Sequence, residues 1–141
     1  MSQLATFIIN HWELFLALVV ILTLLTMNFL RTSSLGFKEI KPVEVVRLMN
    51  HENAVVLDVR DDKEFSAGHI LNAINIPVGV MEGRLTELEQ YRSKPIIISC
   101  RTGQQSVRAG IIMRKQGYKD VYKLSGGMMA WQSANMPVTK S

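Results

Sequence analysis

Two hydrophobic patterns divide the chain. From Leu14 to Leu30 (LFLALVVILTLLTMNFL) the residues are almost wholly apolar, with no charge, no Pro and no Gly. As a helix rising about 1.5 Å per residue, this run spans roughly 25 Å, slightly short of a hydrocarbon core. Ile8, Ile9 and Trp12 extend it, with Trp12 suited to the interface. The run lacks the polar stripe of a buried soluble helix. We therefore expect residues 1–30 to form an N-terminal segment with a transmembrane helix over about 8–30, in contact with membrane lipid. No Lys or Arg stands before the run, and Arg31-Thr32-Ser33-Ser34 after it is not a small-residue cleavage site. Both features describe an uncleaved anchor. Arg31, Lys38 and Lys41 follow it. The positive-inside rule then predicts a single-pass protein of the inner (cytoplasmic) membrane, with its C-terminal part in the cytoplasm.

Beyond a short polar linker (residues 31–38), residues 39–141 change pattern, and strand-like and helix-like runs alternate. Lys41-Pro42-Val43 reads as a helix start with Pro in the first turn, followed by Val43, Val46 and Met49 at helical spacing. Ala54–Asp58 (AVVLD) is a continuous apolar run ending in a carboxylate, the pattern of a buried parallel strand. Asp61–Ala67 predicts a brief helix capped by Asp61 or Asp62, Ala73–Ile76 a strand stopped by Pro77, and Met81–Tyr91 a helix. Pro95–Ser99 (PIIIS) is a second buried strand. Gln104–Gln116 is a helix with Val107, Ile111 and Ile112 on one side, ended by Gly117. Val121–Leu124 is a strand and Gly127–Asn135 a last helix. Such alternation implies an α/β fold on a mostly parallel sheet. Ligands of such sheets sit beyond the carboxyl ends of the strands. Here the turns Asp58-Val59-Arg60 and Cys100-Arg101-Thr102-Gly103 occupy that position.

Composition narrows the function. The 141 residues allow one ordinary domain, and a single Cys excludes a disulfide framework and any multi-Cys metal site. The three His, at 11, 51 and 69, are too scattered to suggest a metal centre. A net charge of +4 is too small to imply nucleic acid. It averages two unlike pieces: the first 30 residues hold 21 apolar side chains and only Glu13 ionised, while the rest carries 16 basic and 11 acidic side chains.

Cys100 carries the clearest chemistry. It follows a buried strand and precedes a loop and a helix, where unpaired backbone N–H groups converge. Such a position favours a thiolate and bound anions. Gly103 lets the backbone turn tightly, Arg101 adds positive charge, and Ser106 can cap the helix or donate to the sulfur. The alternative is an inert, buried Cys.

The segment Cys100-Arg101-Thr102-Gly103-Gln104-Gln105-Ser106 resembles the rhodanese active-site loop, a Cys-Arg-x-Gly-x-Arg/Thr-Ser pattern. The resemblance extends to Val56-Leu57-Asp58-Val59-Arg60, Glu64-Phe65, Gly68-His69-Ile70 and Ala73-Ile74-Asn75-Ile76-Pro77 upstream. Downstream it takes in Val121–Gly127, Trp131 and Pro137. It covers about residues 39–138 and implies a three-layer rhodanese-like fold around a mostly parallel five-stranded sheet, behind one N-terminal membrane helix. A single such domain behind one helix is an arrangement known in bacteria. The family's mechanism makes Cys100 the catalytic nucleophile. Its thiolate takes the outer sulfur of a small donor or a protein persulfide, and a thiophilic acceptor then removes it. Residues 101–106 bind the donor, and the backbone N–H groups of residues 101–105 cradle the anionic persulfide. No metal and no organic cofactor is needed. Asp58 and Arg60 match family positions near the loop and read as a supporting ion pair, with direct substrate contact as the alternative. Gln105 departs from the family's Arg or Thr and weakens the case for a small anion such as thiosulfate. Phosphatases related to this fold need an Arg six residues after the Cys; here that residue is Ser106.

Other residues read as structural. His69 is expected to be a hydrogen-bonded turn residue. Trp131, Met128 and Met129 are expected in the core, and Gly126-Gly127 in a turn. Arg108, Arg114, Lys115, Lys119 and Lys123 form either a solvated face or a docking surface for anionic lipid or an acidic partner. The functional alternative to a sulfurtransferase is a non-catalytic, membrane-tethered module that binds a membrane-protein partner.

Overall fold

The computed structural model describes residues 2–34 and 36–141. The chain divides into two compact units, one up to residue 35 and one from Gly36 to Ser141.

The first unit is helical. Helix α1 spans Ser2–Asn10 and α2 spans Trp12–Ser34, with a turn at His11. The expected single helix over about 8–30 is thus divided before Trp12. Within α2, Trp12–Leu30 has a mean hydropathy of 2.2 and none of it is buried against other residues. It is long and apolar enough to cross a membrane. Residues 31–34, expected as linker, continue α2; residue 35 and the side chain of Arg31 lie outside the described residues.

The second unit is a five-stranded sheet in the order β1-β5-β4-β2-β3, with every pair parallel. The strands are β1 (Lys38–Ile40), β2 (Val55–Asp58), β3 (Ile74–Asn75), β4 (Ile96–Ser99) and β5 (Val121–Leu124). Strand β1 begins at the last residue read as linker and runs up to the helix start at Lys41, where the sequence suggests no strand. It is short, two of its three residues are exposed, and it exists by pairing with β5 at Glu39↔Lys123. Four helices complete the unit: α3 (Pro42–His51), α4 (Asp62–Ala67), α5 (Gln104–Lys115) and α6 (Gly127–Ser133).

The period-two alternation of β4 builds both halves of the core. Ile96, Ile98 and Cys100 face one side with Ala109, Ile112 and Met113 of α5; Ile97 faces the other with Val45, Leu48, Met128 and Trp131 of α3 and α6. Each fully buried Ile contributes about 2 kcal/mol. The buried stripe of α3 is Val45 and Leu48, and Val43 is 70% exposed. The expected Val43–Val46–Met49 stripe is therefore rotated, because the sheet it covers sets the buried face. On α5 the stripe is Ser106, Ala109, Gly110, Ile112 and Met113, while Val107 and Ile111 are only half-buried. Gly110 serves a contact: a Cβ there would lie 2.7 Å from the Phe37 ring.

The helix expected over Met81–Tyr91 is instead two 3₁₀ segments, Val78–Gly83 and Leu85–Tyr91. Met81 and Leu88 are their buried residues, with Val78, Leu85 and Tyr91 packed against the same core, and Arg84 separates the two segments. Three residues per turn eclipses side chains at i and i+3. Arg84 pairs with Glu87 and Arg92 with Glu89 at that spacing, which holds both carboxyls below their usual range.

Candidate active site

Strand β4 ends at Ser99, and Cys100 opens the loop to α5. Gly103 closes that loop in the left-handed region, at φ +99°, and its N–H donates to Cys100 Sγ at 2.9 Å. The same N–H is one of the helix-start donors that no upstream carbonyl can satisfy. Cys100 is 1% exposed, and its surroundings open into a cavity of about 200 Å³ lined by Glu64, Cys100, Arg101, Thr102, Gln104 and Gln105. That volume suits a ligand of a few heavy atoms or the tip of a side chain.

The loop is held from behind by α6. Met128 N–H donates to Cys100 O at 2.7 Å, and Met129 N–H to Arg101 O at 3.1 Å. Gly126 and Gly127 both have positive φ, and a Cβ on Gly127 would lie 2.3 Å from Cys100 O. Gly126-Gly127 is thus more than a turn: its lack of side chains lets α6 dock on the loop. Trp131 and Met128 are buried as expected, but Met129 is 57% exposed. Its N–H faces the loop while its side chain faces outward.

From the side, Asp58 and Arg60 fix the neighbouring turn. Arg60 Nη2 meets Asp58 Oδ2 at 2.7 Å and Gly68 O at 2.7 Å, and Arg60 N–H donates to Asp58 Oδ1. Both side chains are buried in this network and neither lines the cavity. They tie β2 to the end of α4. Asp61 caps α4 by accepting from Glu64 N–H at 2.9 Å, and Glu64 forms an ion pair with Arg101 across the cavity mouth. His69 stacks on Phe65 at 3.7 Å, and its Nδ1 lies 2.7 Å from Phe65 O, a structural arrangement.

Of the residues singled out from sequence, Cys100, Arg101, Thr102, Gln104 and Gln105 surround the cavity, with Gly103 N–H on the sulfur. Ser106 differs from expectation. It neither caps α5 nor bonds the sulfur: Gly103 is the cap residue, and the buried Ser106 hydroxyl has no partner among the described residues. Its place in the buried stripe of α5 turns it toward the sheet. Of the basic cluster, Arg108, Arg114, Lys115 and Lys119 are exposed and Lys123 is set apart. Arg114 donates to Lys119 O at 2.9 Å, while Lys123 is largely buried and 3.7 Å from Glu39 Oε1. Glu64 was visible only as a family match. Its capping-box position three after Asp61 predicts a bond back to the cap, yet its carboxylate goes to Arg101 instead. Gly127 carried no local signal, since the carbonyl it must approach is distant in sequence.

A sequence profile for the rhodanese-like domain matches residues 41–134. The chain belongs to the rhodanese-like family. Among curated relatives it is 36% identical over 105 residues to thiosulfate sulfurtransferase GlpE of Pseudoalteromonas translucida, covering 71% of this chain and 93% of the relative. It is 29% identical over 141 residues to protein YibN of Escherichia coli, covering 99% of both chains. A solved rhodanese-related protein of Thermoplasma volcanium superposes with a TM-score of 0.65 at 26% identity, covering 74% of this chain and all of that one. The rhodanese-like fold and a family with sulfurtransferases among its named members are thereby established. The parallel five-stranded sheet matches the expectation from sequence.

Proposed function

We propose that this chain is a membrane-anchored sulfurtransferase that carries sulfane sulfur as a persulfide on Cys100. The observation that carries the reading is the Gly103 N–H on Cys100 Sγ at the floor of a small cavity. In the first half-reaction the Cys100 thiolate attacks the outer sulfur of a donor R–S–S⁻ or of thiosulfate. A Cys100 S–S bond forms, the donor's S–S bond breaks, and R–S⁻ or sulfite leaves with its electron pair. The product persulfide is anionic. Backbone N–H groups at the start of α5, Gly103 foremost, face that charge without needing to reorganise. Thr102, Gln104 and Gln105 supply neutral contacts to the donor. In the second half-reaction a thiophilic acceptor removes the outer sulfur and restores the thiolate. Asp58 and Arg60 act as positioning residues that hold the adjacent turn.

The apolar span Trp12–Leu30 serves as the anchor. Arg31, Lys38 and Lys41 follow it, which favours a cytoplasmic rhodanese-like domain on the inner membrane. A reducing compartment suits a lone thiol.

The test is intact-mass measurement of the detergent-solubilised full chain after exposure to thiosulfate or an organic hydropersulfide. One added sulfur atom on Cys100, absent in Cys100→Ser, is expected. No adduct from either donor would refute catalysis and leave the domain as a tethered interaction module. A reporter fused at Ser141 is expected to resist protease added outside intact cells; digestion would reverse the topology.

A further inference from the structure

The charges at the cavity mouth cancel. Apart from the reacting Cys100, only Glu64 and Arg101 of its six lining residues are charged, and they pair with each other. Position 105, at the mouth, is a neutral Gln. Behind the loop, a Cβ on Gly103 would lie 3.7 Å from Lys123 Nζ, but Glu39 Oε1 is 3.7 Å from that ammonium. Helix α4, which carries Glu64, also has Asp61 as its cap and Asp62 as its first residue, both exposed, against one Lys63. A dianion entering this cavity therefore meets no uncompensated side-chain cation.

We propose that the Glu64–Arg101 pair selects the sulfur donor, so that the site takes sulfane sulfur from an organic hydropersulfide, small or protein-borne, rather than from thiosulfate. This rests on the sulfurtransferase reading above and specifies its donor. The selected step is R–S–S⁻ + Cys100–S⁻ → R–S⁻ + Cys100–S–S⁻, balanced in atoms and charge, with no oxidant or reductant. Glu64 acts by occupying Arg101 and by its own charge. Free of that pairing, Arg101 would stand at the mouth as a ligand for oxyanions, the role for which guanidinium geometry is suited.

The experiment uses the full chain in nonionic detergent. The rate of Cys100 persulfidation is followed with two donors: thiosulfate, and cysteamine hydropersulfide, whose ammonium balances its sulfur charge. Glu64→Gln is expected to raise the thiosulfate-to-hydropersulfide rate ratio about fivefold, the order of effect of removing one charge that faces a dianion in a partly desolvated, screened mouth. Arg101→Gln is expected to lower that ratio by a similar factor. The thiosulfate rate of Glu64→Gln should fall with added salt, because its mouth is now cationic, whereas that of the wild type should be flat or rise. A purely structural role for the pair would move both donors alike and leave the ratio unchanged. Ratios within twofold of wild type in both variants overturn the proposal, even if Cys100 is loaded well. If neither donor loads the wild type, the sulfurtransferase reading itself fails and donor selection falls with it.

Discussion

Replacing Gly127 with Ala tests whether α6 docks on the Cys100 loop as described. The new methyl would sit 2.3 Å from Cys100 O and 2.7 Å from Arg101 O, both backbone atoms that cannot swing aside as a side chain can. Residue 127 also has φ +60°, where a non-glycine residue costs about 1 kcal/mol. Relieving the clash moves the loop away from α6. That weakens the Met128 and Met129 N–H bonds to Cys100 O and Arg101 O, each contributing about 1 kcal/mol. The expected loss is about 3 kcal/mol, or about 12 °C in melting temperature for a unit of this size. The assay is thermal unfolding of the full chain in detergent, followed by near-ultraviolet circular dichroism, to which the buried Trp131 of α6 contributes. Gly83→Ala is the matched control: nothing lies within 4 Å of its Cβ position and its φ is ordinary, so a change within about 0.5 kcal/mol is expected. A loss below about 1 kcal/mol for Gly127→Ala, or an equal loss for Gly83→Ala, would refute the reasoning.

Arg60→Leu strands the buried Asp58 carboxylate and the Gly68 carbonyl, and is expected to cost about 3–5 kcal/mol in urea unfolding. Asp58→Leu combined with Arg60→Leu should be less damaging than Arg60→Leu alone, and strict additivity would show that the two do not act as a pair. Tyr118→Phe should be neutral or stabilising by up to about 1 kcal/mol, because the buried hydroxyl has no partner among the described residues and the ring still lies under Arg92. Burial raises the Tyr118 phenol above its ordinary value. Its contribution to stability is thus full below the unfolded-state value near pH 10 and declines as pH rises through the folded-state value. Stability measured across that alkaline range should show a decline that Tyr118→Phe reduces; an identical decline in the variant would assign it elsewhere.

Much of this molecule is written in local pattern. An uninterrupted apolar run declares a helix long and apolar enough to cross a membrane, because each residue contributes independently of any neighbour in space. Continuous apolar segments such as Pro95–Ser99 declare buried parallel strands, and the Cys at the junction of β4 and α5 declares a cradle, because strand, turn and helix start are adjacent in sequence. Asp61 as a helix cap was legible for the same reason.

What only the tertiary structure decided depends on residues far apart in the chain. β1 is a strand because β5 offers it a partner, and α3 buries Val45 and Leu48 because the sheet sets which face is covered. Gly127 is needed because a carbonyl from another element comes within contact distance, and Ser106 lies in the buried face of α5 instead of capping it. Glu64 stands at the mouth of the Cys100 cavity because the Asp58–Arg60 network fixes α4 beside the loop. Periodicity reports which face of an element is apolar, but the charge that meets a ligand is set by which elements the fold brings together.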